Sequence, residues 1–309
     1  MRPLALLAAF CVAALAGAAW TSVRATAKPS VIARVKVGVR PCAAAEAAGR
    51  VWVTNSGSST VRFLNPATNR LVGNAIKVDG TPCGIVAGAG AVWVEAYTGN
   101  RVDRIDPARR KVTARIRVGV GPYDVLYASG SVWATNNASN TVSRIDPAKS
   151  RVVATIRTPG GPAGLSFAAG SVWVGTNGSD SVYRIDPATN RAHSIAVHQQ
   201  SPAWFAATDD AVWVSNVLSG TVSRIDPATE RVVKTIRVDA RPVDGVPGPD
   251  GLIWVPSLVA STVTRIDPAT NSVVDKFKVG SAPFVLTVGF GDVWAPSYGG
   301  TQLWRLRVR

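Results

Sequence analysis

Val132-Trp133-Ala134, a polar loop, Thr141-Val142-Ser143-Arg144-Ile145-Asp146-Pro147-Ala148, then Arg151-Val152-Val153-Ala154-Thr155-Ile156 and a Gly-rich turn ending at Pro162 form a stretch that recurs along almost the whole chain. Its Trp returns at Trp52, Trp93, Trp173, Trp213, Trp254 and Trp294, so that neighbours are always 40 or 41 residues apart. An Asp-Pro corner returns at Asp106, Asp146, Asp186, Asp226 and Asp267, with Asn65-Pro66 as a degenerate first copy. Pro41, Pro82, Pro122, Pro162, Pro202, Pro242 and Pro283 mark the start of each unit. A period near 40 with several short strands per unit is the signature of a propeller, in which one blade cannot bury both of its faces alone. The sequence therefore predicts an all-β, seven-bladed β-propeller.

Each unit reads as a four-stranded antiparallel blade. Small residues such as Ala163-Gly164-Leu165-Ser166-Phe167-Ala168 suit an innermost strand on a crowded axis, and Gly170-Ser171 turns the chain into Val172-Trp173-Val174. Ser181-Val182-Tyr183-Arg184-Ile185 alternates β-branched and polar residues, as a strand with two different faces should. At the corner, Asp accepts backbone bonds at the first turn position and Pro presets φ at the next. Arg231 to Arg237 is the pattern of an outer strand.

The two ends of the repeat complement each other. The last unit stops after a third strand, Thr301 to Arg307, while Val31 to Gly38 has the pattern of an outer strand and precedes Pro41. The N-terminal strand is expected to complete the last blade, making blade 7 from residues 283–309 plus 31–38 and leaving no sheet edge at the seam. Residues 28–309 then form one domain, and ring closure favours a monomer.

Residues 1–27 stand outside the repeat. Arg2 precedes a Leu/Ala-rich run from Leu4 to Trp20, and Ala25-Thr26-Ala27 is a small-x-small site, so a signal peptide cleaved after Ala27 and a secreted or periplasmic product are expected. Nothing later in the chain is long and apolar enough to span a membrane. Of three cysteines, Cys42 and Cys83 remain after cleavage. An oxidising compartment favours pairing them, whereas equivalent positions on adjacent blades can lie beyond the ~7 Å Cα limit for a disulfide. The alternative is a pair of small buried hydrophobes.

Val132-Trp133, Thr141-Val142-Ser143-Arg144-Ile145-Asp146-Pro147 and Ile116-Arg117-Val118-Gly119 with Pro122 resemble the YVTN β-propeller repeat family and, more loosely, the streptogramin (virginiamycin B) lyases. The resemblance covers Val31 to Arg309. It implies an extracytoplasmic propeller and, in the lyase branch, a metal-assisted ring-opening elimination that uses His and Glu on one face. The residues needed for that chemistry are sparse. A general base must titrate near neutrality within reach of substrate, yet the histidines, His193 and His198, fall in and at the end of an outer strand. Glu95 is the one acid directly after a Val-Trp pair. No His, Cys and carboxylate set has metal-ligand spacing, no cofactor is implied, and there is no Gly-x-Ser-x-Gly elbow or phosphate loop.

The net charge falls from +15 to +13 when Arg2 and Arg24 leave with the signal. Most of it belongs to the repeat: Arg104, Arg144, Arg184, Arg224 and Arg265 on third strands, and Lys77, Arg117, Arg157, Arg237 and Lys278 on outer ones. The third-strand Arg is expected to pair with the Asp two residues on or to stay solvated. A basic perimeter of this kind suits solubility or salt-sensitive adhesion to a cell-envelope polyanion, not specific nucleic-acid recognition.

Subtracting the repeat leaves Glu95, Tyr97, Tyr123, Asp124, Trp204, Arg241, Asp244 and Tyr298 as residues that differ from their siblings. They fall in interblade turns, second-to-third-strand loops or the start of innermost strands, and are expected to converge on one mouth of the channel. Aromatic platforms with a few charges suit a small molecule, glycan or peptide. The leading expectation is a non-catalytic, exported binding propeller; the alternative is a streptogramin lyase-like or lactonase-like enzyme using the same funnel.

Overall fold

In the computed structural model, which describes residues 27–308, the units fold into seven antiparallel sheets. The third unit is representative, with strands Pro122–Ala128, Ser131–Asn136, Thr141–Asp146 and Arg151–Arg157 ordered from axis to rim. Its first hairpin turns at Ser129-Gly130, both at positive φ (47° and 68°), the geometry whose twist matches antiparallel strands. Its corner is held by Asp146 Oδ1, which accepts from the backbone N–H of Ala148 (2.9 Å) and Lys149 (3.0 Å). Blade 1 departs from the pattern at the degenerate Asn65-Pro66 corner, where the outer strand is broken into Arg70–Leu71 and Ile76–Lys77.

The ring closes as the ends of the sequence require. Ser30–Lys36 pairs antiparallel with Gln302–Arg307, placing Arg34 opposite Trp304 and Val35 opposite Leu303. The first strand of the described residues is thus the outer strand of the last blade. The signal peptide read from the sequence, Ala27 excepted, lies outside the described residues.

The core is a circle of interblade clusters, and each is built on one of the recurring tryptophans. Trp133 packs on Val172, Val174 and Ile185 of the next blade, as Trp93 does on Val132, Ala134 and Ile145. Trp294 packs on Val51, Val53 and Leu64 and so joins the last blade to the first. All seven are at most 1% exposed. A buried indole needs a partner for its N–H. In five blades that partner is the carbonyl five residues earlier, as in Trp133 to Ala128 (3.1 Å) and Trp294 to Gly289 (3.0 Å).

The third-strand arginines correct the sequence expectation. None pairs with the Asp two residues on, and of the five only Arg104 donates at the surface, to Thr113 of its own blade. Arg144 lies over the Trp133 ring (4.9 Å to the centroid), and its guanidinium donates to Ser131 Oγ and then across the interface to Asn190 Oδ1 (2.8 Å) and the Pro187 carbonyl. Arg184 reaches Glu230 and the Pro227 carbonyl, and Arg224 reaches Asn271 and the Pro268 carbonyl, in the same way. The reason is geometric: the corner Asp is already saturated by its own turn, whereas the next blade's corner presents free acceptors within an Arg's length. Arg265 instead sits fully buried between Asp250 (2.8 Å) and Asp275 (2.6 Å). The freely exposed positive charge is therefore mainly that of the outer strands, Lys77, Arg117, Arg157, Arg237 and Lys278.

Trp133→Ala should destabilise the fold by about 3–5 kcal/mol in urea unfolding, because an interblade wedge is removed between sheets that cannot collapse together. Deleting residues 30–36 should replace the single unfolding transition with a broadened, earlier one, since blade 7 is left with an unpaired edge.

Candidate functional site

The residue two after each in-register Trp faces the innermost strands and decides how neighbouring blades meet at the axis. In most blades it is a hydroxyl or a residue without a donor: Thr54, Thr135, Gly175, Ser215, Pro256 and Pro296. Thr54, Thr135 and Ser215 each donate to a carbonyl of the next blade's inner strand, those of Cys83, Ala163 (2.7 Å) and Val243 (2.9 Å). Blade 2 has Glu95 there. Its Oε1 accepts from the backbone N–H of Cys83 (2.8 Å) and Gly84 (2.9 Å), while Oε2 is buried and has no hydrogen-bond partner.

A second irregular position lies two residues after the repeat-start Pro, where the seven blades present Ala43, Gly84, Asp124, Gly164, Trp204, Asp244 and Val285. The small residues make room for the large ones: a Cβ on Gly164 would lie 2.7 Å from the Trp204 ring, and one on Gly84 3.1 Å from Asp124 Oδ1. Asp124 spans an interface, accepting from Val125 N–H through Oδ1 and from Leu165 N–H through Oδ2, both at 2.8 Å. Asp244 accepts from Phe205 N–H (3.2 Å).

Aromatic side chains continue from this tier to the mouth in an unbroken row. Ring centroids are separated by 5.9 Å for Tyr97–Tyr123, 5.5 Å for Tyr123–Trp204, 5.1 Å for Trp204–Phe284 and 5.6 Å for Phe284–Tyr298, in edge-on or tilted arrangements. They border a cavity of about 410 Å³ whose wall includes Glu95, Tyr97, Tyr123, Leu258, Phe284 and Tyr298, together with Cys42 and Cys83.

Four of the eight residues singled out in the sequence, Glu95, Tyr97, Tyr123 and Tyr298, line this cavity. Trp204 is buried behind Tyr123 and Phe284, and Asp124 and Asp244 belong to the tier on the axis. Arg241 does not join them; it lies in a separate shallow recess with Val217, Leu218 and Arg237. Phe284 and Leu258 were missed. Phe284 follows Pro283 as Tyr123 follows Pro122, a position otherwise held by Cys, Ala or Val, so the same subtraction contained its signal.

Cys42 and Cys83 form a disulfide with Cα atoms 5.1 Å apart. The argument from blade separation against this bridge is overturned, because innermost strands converge on the axis and their equivalent positions come well within bridging range. The bridge joins blades 1 and 2 directly beside Glu95.

Electrostatically the site is acidic and unneutralised. Burial, reinforced by the neighbouring Asp124, pushes Glu95 up to about 8 against the two N–H donors that favour its anion. Burial likewise raises Asp124 to about 7, and burial together with Asp124 lifts Asp244 well above the carboxylate range. Burial and the neighbouring phenols raise Tyr123. Neither histidine approaches the cavity: His193 Nε2 meets Glu230 (2.9 Å) on an outer strand, and His198 is exposed near Asp180. Among the described residues no three His, Cys, Asp or Glu side chains are grouped to hold a metal ion. Glu95 Oε1 and both Asp124 oxygens are also taken by backbone donors. These residues do not fit the metal that the lyase resemblance implies, and no reaction step through one follows from them.

The family model described as Virginiamycin B lyase family matches residues 30–306. Of the two resemblances read from the repeat, this is the streptogramin lyase one. No curated protein gives a significant match. Among solved structures, a virginiamycin B lyase from Staphylococcus aureus is 14% identical with a TM-score of 0.81, over 91% of this chain and 100% of that one. A streptogramin B lyase is 16% identical with a TM-score of 0.77, over 91% and 97%. Hydrazine synthase of Kuenenia stuttgartiensis has the same identity and TM-score, 16% and 0.77, over 87% and 95%, so likeness at this level shows the propeller alone.

A carboxyl whose folded pKa is raised binds its proton more tightly in the native state, so its contribution falls as pH rises from the unfolded value toward the folded one. Thermal stability should therefore decline between about pH 5 and pH 8, where the unfolded chain has released the protons that folded Glu95 and Asp124 still hold. Glu95→Gln should flatten the decline in melting scans across that range; an equal slope in the variant would remove Glu95 from the account.

Proposed function

We propose that this chain, which belongs to the virginiamycin B lyase family, is an exported ligand-binding propeller that holds a small molecule at its channel mouth. The observation that carries this reading is the row of rings from Tyr97 to Tyr298 around a cavity of about 410 Å³. Apolar walls with a few convergent polar groups are the usual makeup of small-molecule sites, and this volume lies within their ordinary range. The walls are also largely preformed. Trp204 is 3% exposed and braced on both sides by Tyr123 and Phe284, so little side-chain entropy is lost when a ligand enters. The leader read from the sequence supports export, and the Cys42–Cys83 bridge agrees with an oxidising compartment.

Binding without turnover is favoured by what surrounds Glu95. It has no imidazole partner, and its neighbour on the axis is a further acid, Asp124, which has Asp244 beside it in turn. Family membership favours a second reading, in which the cavity performs a lyase-type elimination with Glu95, near neutrality at about 8, as its proton-transferring group.

Mass spectrometry of small molecules retained by the purified protein tests the first reading. Phe284→Ala should abolish retention and Arg241→Ala should leave it intact; retention unaffected by Phe284→Ala places the ligand elsewhere. Incubation with a streptogramin B should yield no linearised product. A linear product that disappears in Glu95→Gln carries the second reading instead.

A further inference from the structure

We propose that the cavity takes an organic cation, a quaternary or alkylated ammonium group, seated among Tyr97, Tyr123, Phe284 and Tyr298 with the Glu95 carboxylate as its counter-ion. The proposal rests on the reading of the cavity as a ligand site and specifies the charge of what enters it.

Three observations converge on a cation. The first is the placement of charge. The chain has 34 Lys and Arg against 19 Asp and Glu, yet among the described residues none of Glu95, Asp124 and Asp244 takes part in an ion pair. Elsewhere in the molecule buried acids are neutralised: Asp292 by Arg305 and Arg307, Asp250 and Asp275 by Arg265. Among the described residues, the buried acids left without an ion pair are those at the axis.

The second is Glu95 Oε2. Glu95 is 1% exposed and this oxygen meets no donor. Three sibling blades use a short hydroxyl at the same position and satisfy it on the next blade. A Thr would thus serve the ring, whereas the longer carboxyl leaves an acceptor facing the cavity wall unused. A neutral apolar ligand or an anion does nothing to favour ionisation of this carboxyl, whereas a cation beside it stabilises its anion by charge alone, with no hydrogen bond required.

The third is the wall itself. Faces of Tyr, Trp and Phe attract cations through the ring quadrupole, and a cluster of rings beside a carboxylate is the arrangement that recognises quaternary ammonium groups. Arg40 already places its guanidinium carbon 5.9 Å from the Tyr298 centroid at the outer end of the row.

Cation binding must then move a proton. The titratable groups around Glu95 are Asp124 and the phenols of Tyr123, Tyr97 and Tyr298, with Asp244 beyond Asp124 and the Cys42–Cys83 bridge contributing no titrating group. In the empty site burial holds Glu95 as the acid up to about pH 8. A cation within contact distance reverses that preference, so the acid releases its proton to solvent as the ligand enters. Above that pH the carboxylate is already formed and binding needs no proton release.

Choline and its uncharged carbon isostere, 3,3-dimethylbutan-1-ol, have the same shape and separate charge from fit. Isothermal titration at pH 7 in two buffers of different ionisation enthalpy should show choline binding about tenfold or more tightly than the alcohol, with net proton release, and choline affinity rising toward pH 9. Glu95→Gln, which keeps an acceptor for Cys83 and Gly84, should weaken choline about tenfold, leave the alcohol unchanged and remove the proton release. Glu95→Thr, which installs the residue that two sibling blades carry there, guards against a folding defect and should behave alike. Equal affinity for choline and the alcohol overturns the cation assignment and leaves the cavity as an apolar ligand site. Choline binding that survives both substitutions overturns the role of Glu95 and with it the proposal. Failure of both compounds to bind overturns it too, and the retention experiment on Phe284→Ala then decides the broader reading independently.

Discussion

An indole buried against the next sheet is the contact on which this molecule depends. A single four-stranded blade has two apolar faces and no means of covering either. The in-register Trp solves this by reaching across: its ring fills the gap to the neighbour, its N–H is satisfied within its own hairpin in most blades, and in four blades the Arg above it (Arg144, Arg184, Arg224, Arg305) ties the same interface by hydrogen bonds to the neighbour's corner. Repeating that contact around the circle makes each blade's stability conditional on two others. The strand Ser30–Lys36 matters out of proportion to its length because it completes the sheet that carries Trp294, the wedge between last blade and first.

That regularity is why the fold was legible. Trp spacing, Asp-Pro corners and start prolines repeat whatever a blade does, so the blade number and the closing strand could be read from periodicity and from the mismatch of the two ends. The destination of the third-strand Arg could not, since the repeat shows an Asp two residues away and hides that this Asp is occupied by its own turn. The Cys42–Cys83 separation was misjudged for a related reason: sequence equivalence says that two positions correspond, but not how closely the inner strands crowd at the axis.

The site was partly legible because deviation from the repeat is information. Glu95, Tyr97, Tyr123 and Tyr298 stand out from their siblings and do meet around one cavity. Phe284 and Leu258 stand out less, as apolar residues where apolar residues are common, and only the ring contacts reveal that Phe284 links Trp204 to Tyr298. Arg241 differs from its siblings equally well and lies elsewhere. Difference marks freedom from the structural role; proximity to other differences is what turns it into a site.

The bridge between Cys42 and Cys83 closes a span of 41 residues across one interblade seam and forms part of the cavity wall. Cross-linking a span of that size restricts the unfolded chain by an amount worth roughly 4 kcal/mol in the chain-entropy view. Among the described residues, the redox state of the surroundings therefore acts on the cysteines at one place, the recess beside Glu95. The same polypeptide with both thiols reduced would keep its tryptophan circle and present a looser-walled vessel, so that closing this one sulfur bond is the step that finishes the container.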